Sequence, residues 1–128
     1  RDYLKRIGVE ALSPVPYKAV IATMSRGIFN PVIYRPLFER LGFVTCRTFE
    51  TPASSTIPLF LLEPDYVRSI YGDAAAELVL GTAPHEKIDD VVSRPQHYAD
   101  IVLAIRDEFR QRHSPEARLR ELIGIIEQ

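Results

Sequence analysis

The second half of the chain has the clearest pattern of apolar and polar positions. Residues 57–62 form an uninterrupted apolar run, which is typical of a strand buried on both faces in a parallel sheet. Residues 64–71 predict a helix that ends at Gly72. Residues 77–80 predict a second short strand, which ends at Gly81. A strand, a helix and a strand within about 25 residues indicate a βαβ unit.

After this unit the apolar positions follow helical spacing to the end of the chain. Residues 84–92 predict a short helix, and a longer one begins at Pro95. The longer helix carries an apolar stripe with spacings of three and four: Tyr98, Ile101, Val102, Ile105 and Phe109. Ser114 is a predicted N-cap for a last helix with its own stripe: Leu119, Leu122, Ile123 and Ile126. We expect these two long amphipathic helices to lie across a sheet face.

The first half is more ambiguous. Residues 17–24 fit a helix stopped by Gly27, although the apolar run 19–23 also fits a strand. Residues 29–33 predict a strand, and Pro31 confines it to a sheet edge because proline has no N–H to donate.

The chain between this edge strand and the apolar run 57–62 predicts two further short elements. Residues 37–41 predict a helical turn that ends at Gly42. Residues 43–45 fit the end of a strand that leads into a helix starting at Arg47 or Thr48.

Composition narrows the class of protein. The 128 residues fit one domain, and 46% hydrophobic with 26% charged residues is typical of a globular chain. The formal net charge of −1 gives no overall field for nucleic acid or an anionic membrane. No apolar run approaches the roughly 20 residues of a membrane span. We therefore expect no nucleic-acid partner and no transmembrane segment.

Cysteine and histidine usage argues against a metal site. The single cysteine, Cys46, excludes an internal disulfide and a multi-cysteine zinc site. His85, His97 and His113 do not have the spacing of metal ligands. We expect no metal, and a lone cysteine suits a cytoplasmic location.

Residues 45–61 hold the most informative polar segment. Arg47, Glu50 and several hydroxyl side chains stand directly before the predicted buried strand. Ligands of open α/β sheets bind at the carboxyl ends of strands and at the helix N-termini that follow. A glutamate there can accept hydrogen bonds from a ribose diol, and the backbone of residues 54–56 can meet a phosphate. The alternatives are a favourable charge near a helix N-terminus for Glu50 and a surface ion pair for Arg47.

A locally basic stretch precedes this segment. Residues 26–47 contain four arginines and one acidic residue, Glu39: the arginines are Arg26, Arg35, Arg40 and Arg47. Arginine suits bidentate recognition of phosphate, whereas the alternative is a solvated basic face. Arg26, beside Gly27 at a predicted element end, is the best phosphate candidate after Arg47.

The same segment carries a family resemblance. Residues 47–59, RTFETPASSTIPL, resemble the R-x-F-E-A-x-A-x-G-x-x-x-L stretch of GT-B glycosyltransferases, most closely the spore-maturation-protein-like group. Residues 66–72 and 76–80 resemble the helix and short strand that follow it in that family. Residues 113–118, HSPEAR, resemble its closing H-[TS]-Y-x-x-R turn. The resemblance covers about residues 15–127.

The resemblance implies a fold and a partner. The fold would be α/β: a Rossmann-like three-layer domain with a short parallel sheet and two long C-terminal helices. Residues 1–128 would form a single donor-binding domain, part of the C-terminal half of a longer two-domain GT-B protein. The other half would be an N-terminal acceptor domain, without which we expect the chain to be inactive.

The resemblance also implies an activity and a binding site. The enzyme would transfer a sugar from a nucleotide-diphosphate sugar, used as substrate with no further cofactor, to an acceptor. Glu50 matches the family glutamate that binds the donor ribose, and Arg47 matches an arginine beside the donor. The whole predicted donor-nucleotide site comprises Arg26, Arg47, Thr48, Glu50, Ser54, Ser55 and Thr56. No catalytic residue is assigned.

Two departures keep a second class of function open. Ser55 replaces the family glycine in a loop one residue longer, and Pro115 replaces the family tyrosine. The alternative is a non-catalytic α/β interaction domain or a receiver-like signalling domain. A receiver needs paired carboxylates after its first strand and a lone aspartate after its third, and the sequence places neither.

Overall fold

A two-stranded parallel sheet organises the fold. In the computed structural model, which describes residues 2–127, strand β1 (Phe29–Ile33) pairs with strand β2 (Ile57–Leu61). The register sets Phe29 opposite Ile57 and Ile33 opposite Leu61. A single parallel bridge joins Phe60 of β2 to Val79. β2 therefore has backbone partners on both edges. Its residues 57–60, which point alternately to the two faces of the sheet, are all buried, and this accounts for the apolar run.

Helical segments make up most of the remaining chain. Two of them are short 3₁₀ helices, Tyr17–Ala19 and Asp73–Leu78. The α-helices, in chain order, are α1 (Asp2–Arg6), α2 (Val20–Met24), α3 (Pro36–Arg40), α4 (Cys46–Ala53), α5 (Pro64–Tyr71), α6 (Pro84–Ser93), α7 (Pro95–His113) and α8 (Pro115–Ile126). None of the helices within residues 2–127 combines the length and apolar character needed to cross a membrane.

The ambiguous first half resolves in favour of helix. Residues 17–24 form a 3₁₀ turn followed by α2, so the strand alternative for residues 19–23 is wrong. The strand over residues 29–33 is confirmed, and its exposed Pro31 lies on a strand that pairs with β2 alone among the described residues. Residues 43–45 have no regular structure, so no strand precedes α4.

The predicted strand over residues 77–80 shrinks to the one bridge at Val79. The preceding residues instead form a 3₁₀ helix, Asp73–Leu78. Residues three apart lie on the same side of a 3₁₀ helix, and Ala75 and Leu78 are both fully buried there. Burial of these two side chains on one side accounts for the helical turn in place of an extended strand.

The core lies between the sheet and helices α5 and α7. The Tyr71 ring of α5 lies 4.9 Å from the Phe60 ring and 5.7 Å from the Phe109 ring, centroid to centroid. The predicted stripe of α7 is confirmed by four buried members: Tyr98, Ile101, Val102 and Ile105. Burial of these apolar side chains is the main source of stability here.

The last helix forms as predicted but does not pack across a sheet face. Ser114 caps α8 by accepting a hydrogen bond from the Ala117 N–H at 3.1 Å. No residue of α8 is buried. Its apolar stripe is exposed instead: Leu119, Leu122, Ile123 and Ile126. The predicted helix is confirmed, but the prediction that it packs across the sheet is wrong. Periodicity identifies the apolar face of a helix and does not show what covers that face.

A buried threonine joins the sheet to two helices. Thr48, in α4, is fully buried, and its hydroxyl bonds to the Tyr34 hydroxyl just after β1. The Tyr71 hydroxyl of α5 donates to the Thr48 carbonyl oxygen at 3.0 Å. Burial raises the pKa of Tyr71 far above its ordinary range, so this hydroxyl stays protonated and remains a donor.

We expect Tyr71→Phe to lower the free energy of unfolding by about 1 kcal/mol, because it removes one buried hydrogen bond and keeps the ring. Urea denaturation monitored by circular dichroism measures this change. Tyr17→Phe is the matched control, since Tyr17 is 82% exposed, and it should change stability little. Equal stability of wild type and Tyr71→Phe would contradict a stabilising role for this bond.

Candidate functional site

The first two turns of α4 carry an ion pair. The Arg47 guanidinium Nη1 lies 3.2 Å from Glu50 Oε2, and the Glu50 side chain is only 12% exposed. The same nitrogen lies 3.1 Å from the Met24 sulfur of α2. Glu50 is thus a largely buried carboxylate with one charged partner, at the contact between α2 and α4.

Arg26 follows α2 directly. It is exposed in the turn after α2, two residues from Met24, so their Cα atoms are at most about 7 Å apart. The amino end of α4 also lies near the carboxyl edge of the sheet, since Thr48 bonds to Tyr34 directly after β1. The structure therefore pairs Arg47 with Glu50 next to α2, and Thr48 beside them is fully buried. Arg26 stands in the turn before β1, where the Met24 carbonyl accepts the Asn30 amide that also donates to Thr56.

The other three predicted residues follow the opposite end of α4. Ser54 and Thr56 are buried, and their hydroxyls lie 3.1 Å apart. Ser54 donates to the Thr51 carbonyl at 2.7 Å, and the Asn30 amide donates to the Thr56 hydroxyl. At 1.5 Å per residue, the two ends of the predicted set are about 10 Å apart along the helix. These hydroxyls join α4 to the amino edge of the sheet.

Ser55 occupies a backbone conformation that favours glycine. Its φ of 57° is left-handed, which costs about 1–2 kcal/mol for a residue with a Cβ. The position where the resemblance has a glycine therefore keeps a glycine-like backbone. Arg106 of α7 holds it, since Nη2 donates to the Ser55 hydroxyl at 3.0 Å and Nε donates to the Pro52 carbonyl at 2.6 Å.

Sequence reasoning missed Arg106. The available signal was its position on α7, four residues after Val102 and three before Phe109. That spacing puts a cation at the margin of the apolar stripe. A charged residue there must find polar partners on the neighbouring element, and the carbonyl and hydroxyl groups at the end of α4 provide them.

A cavity of about 460 Å³ lies beyond the carboxyl end of β2, where open α/β sheets bind ligands. It was also missed by sequence reasoning. Glu39 of α3 and Glu63 line it, together with Gly81 and Thr82. Glu39 Oε1 accepts the Glu63 backbone N–H at 2.7 Å. One of the two carboxylates is therefore already used to fix the start of α5.

A second polar cluster joins α6 to α7. Asp90 accepts hydrogen bonds from Arg94 Nε at 2.7 Å and from the Tyr98 hydroxyl. Lys87 Nζ lies 3.3 Å from the Tyr98 hydroxyl. The hydrogen bonds from Arg94 and then Tyr98 hold the pKa of the Asp90 carboxyl well below its ordinary value. These bonds tie two helices together, which explains the shift without a catalytic role.

Within the described part of the chain, no group of three or more His, Cys, Asp or Glu side chains could hold a metal ion. His97 bonds to Glu77 at 3.1 Å, and His113 bonds to the Ile70 carbonyl at 3.0 Å. Cys46 is exposed at the start of α4.

Comparisons of the chain with protein-family models, with curated proteins and with solved structures found no match. We therefore infer a function from the geometry of the site and from the sequence motif.

The Asp90 cluster predicts a specific pH dependence of stability. A carboxyl with a lowered pKa in the folded state stabilises the fold above its ordinary pKa near 4, and loses that effect as pH falls below it. We expect Asp90→Asn to be less stable than wild type at pH 7, with the difference shrinking below about pH 4. Urea unfolding between pH 3 and pH 7 measures it.

Asp89→Asn is the matched control, because Asp89 is the exposed neighbour on the same helix. Its difference from wild type should stay small and flat across the range. A difference between wild type and Asp90→Asn that is unchanged at pH 3 would contradict the proposed linkage.

Proposed function

We propose that this chain is the donor-binding domain of a glycosyltransferase, which transfers a sugar from a nucleotide-diphosphate sugar to an acceptor. The observation that carries the proposal is the Arg47–Glu50 pair of α4, 3.2 Å apart, with the Glu50 side chain largely buried. The RTFE motif that contains this pair is the most specific part of the resemblance to GT-B glycosyltransferases. The parallel sheet beneath α4 is the coarse architecture that such a domain requires.

In this proposal Glu50 and Arg47 bind different parts of the nucleotide. The Glu50 carboxylate accepts hydrogen bonds from the ribose hydroxyls, and its burial makes these charge-assisted bonds stronger than in water. Arg47 and Arg26 face the diphosphate. Glycosyl transfer passes through an oxocarbenium-like transition state, and the departing diphosphate gains negative charge. Arginines placed there stabilise that charge as it develops.

Three of the remaining predicted residues support the fold in this proposal and do not contact the donor. The hydroxyls of Thr48, Ser54 and Thr56 are buried and bonded to protein atoms, so they position α4. Ser55, which is exposed in the left-handed turn, stays in the proposed set because its loop matches the family segment near the donor's phosphates or sugar.

The exposed stripe of α8 supports a second domain. Leu119, Leu122 and Ile123 are 56%, 53% and 44% exposed on a helix with no buried residue. A continuous apolar face of this kind marks a surface that something covers. We assign it to the N-terminal acceptor domain of a longer cytoplasmic enzyme, and the isolated chain is expected to be inactive.

The exposed apolar face of α8 also fits an alternative function, that of a non-catalytic interaction domain. An α/β interaction domain that has lost its donor site would keep the apolar face of α8 and the buried Thr48 contacts. It would have no need for the largely buried Glu50 carboxylate. Nucleotide binding therefore separates the two functions, because the interaction domain predicts none.

We expect uridine diphosphate, used as the probe nucleotide, to bind the chain with heat measurable by titration calorimetry. Glu50→Ala should weaken this binding about tenfold or more, because it removes charge-assisted hydrogen bonds to the ribose. Asp89→Ala is the control for loss of one surface carboxylate and should bind as wild type does. No heat with wild type, or equal affinity of Glu50→Ala, would contradict donor binding.

Arg47→Gln should separate the phosphate contact from the ribose contact. We expect it to weaken uridine diphosphate about tenfold while leaving uridine unchanged, because Gln cannot offer the charged bidentate contact. Glu50→Ala should weaken both ligands. The measurement is the ratio of the two dissociation constants for each variant, and an unchanged ratio in Arg47→Gln would place its guanidinium away from the diphosphate.

A further inference from the structure

A groove lies between α4 and α7, on a different side of α4 from the Arg47–Glu50 pair. Its volume is about 360 Å³, within the range of small-molecule sites. We call it the α4–α7 groove and define it by its lining residues: Phe49, Pro52, Ala53, Arg106, Phe109 and Arg110. A second cavity of about 190 Å³ shares Arg106.

The charge of the α4–α7 groove is positive. Its lining contains two guanidinium groups and no carboxylate. Arg106 donates to the Pro52 carbonyl and the Ser55 hydroxyl, both neutral acceptors. Within residues 2–127 no carboxylate oxygen lies within 4.0 Å of the Arg106 guanidinium. A half-buried cation bonded to neutral groups alone is a strong attractor for an anion.

Arg110 adds a second guanidinium that is free to move. It lies one helical turn after Arg106 on α7, so the two side chains share a face. Its contact with Asp107 is 3.9 Å long, and both side chains are more than 70% exposed. Such an ion pair contributes little, so an incoming anion competes with it easily.

The apolar wall of the groove is aromatic. The Phe49 ring is 48% exposed, although it belongs to a helix that packs on the sheet. Its centroid lies 5.5 Å from the Phe109 ring in an edge-to-face arrangement. A further ring can extend such an arrangement, because aromatic rings attract each other edge to face in addition to burying apolar area.

We propose that the α4–α7 groove binds a small aromatic anion, in which a phosphate or carboxylate is attached to a ring. The anion bonds to the free guanidinium nitrogens of Arg106 and Arg110, and the ring packs on Phe49. This site uses none of Arg26, Arg47 and Glu50, and it shares with the proposed donor set only the bond between Arg106 and Ser55. It gives α7 a binding role in addition to its role in the core.

Phenyl phosphate is the probe, followed by the shifts of backbone amide resonances in NMR titrations of the ¹⁵N-labelled chain. We expect saturable shifts at Phe49, Ala53 and Arg110. Arg110→Gln should weaken binding about tenfold, because it removes one charge-assisted contact. Arg120→Gln is the matched control on the exposed helix α8 and should bind as wild type does. Arg106 is left intact because it also holds Ser55.

Phe49→Leu tests the aromatic wall. It should weaken phenyl phosphate several-fold and leave inorganic phosphate, which has no ring, unchanged. Glu50→Ala should leave phenyl phosphate binding unchanged, so failure of the donor site and failure of this groove give different results. Unsaturable shifts, equal binding by Arg110→Gln and wild type, or equal affinity of phenyl phosphate and inorganic phosphate would each overturn the proposal.

Discussion

The placement of Thr48 between two tyrosines is the constraint on which the remaining geometry depends. Its hydroxyl meets Tyr34 at the carboxyl end of β1, and its carbonyl accepts the Tyr71 hydroxyl of α5. The Tyr71 ring lies in turn against Phe109 of α7. One buried residue thus fixes α4 against the sheet and two other helices. Since buried backbone polar groups need partners, the bond from Tyr71 to the Thr48 carbonyl stabilises α4 in this position.

The far end of α4 is fixed independently, by Arg106 on the Pro52 carbonyl and the Ser55 hydroxyl. With both ends held, the sides of the helix take separate roles. Arg47 contacts Met24 of α2 and pairs with Glu50, while Phe49 lies against Phe109 of α7. Residues at successive positions are about 100° apart around a helix. A single eight-residue helix can therefore contribute to two different binding surfaces.

The sequence predicted those parts of the fold whose pattern is local. The apolar run of β2 and the spacing of three and four in the α7 stripe are visible within each element. Ser114 and Pro115 mark the start of α8, because serine is a good N-cap and proline fits the first helical position. The motif that predicts Glu50 and Arg47 as site residues is also local, since the two are three positions apart and form an ion pair. The 3₁₀ helix that ends at Leu78 was missed because a tertiary contact decides it.

Residues that bond across long separations escaped prediction for the same reason. Arg106 and its partner Ser55 are 51 positions apart, and Tyr71 and Thr48 are 23 apart. Nothing in the local pattern distinguishes Thr48, a buried junction, from an exposed hydroxyl near a ligand. Pairing of this kind depends on the packed arrangement of helices, which periodicity alone does not give.

Helix α8 has no buried residue, and polar contacts at its start set its direction. Arg118 Nη2 must donate to His113 Nδ1, because a guanidinium has no acceptor. In the neutral ring the proton is then on Nε2, which donates to the Ile70 carbonyl at 3.0 Å. This chain of bonds sets the direction of α8 from its first turn. The apolar stripe is thereby held in a defined orientation while it remains exposed, which is what the proposed contact with an acceptor domain requires.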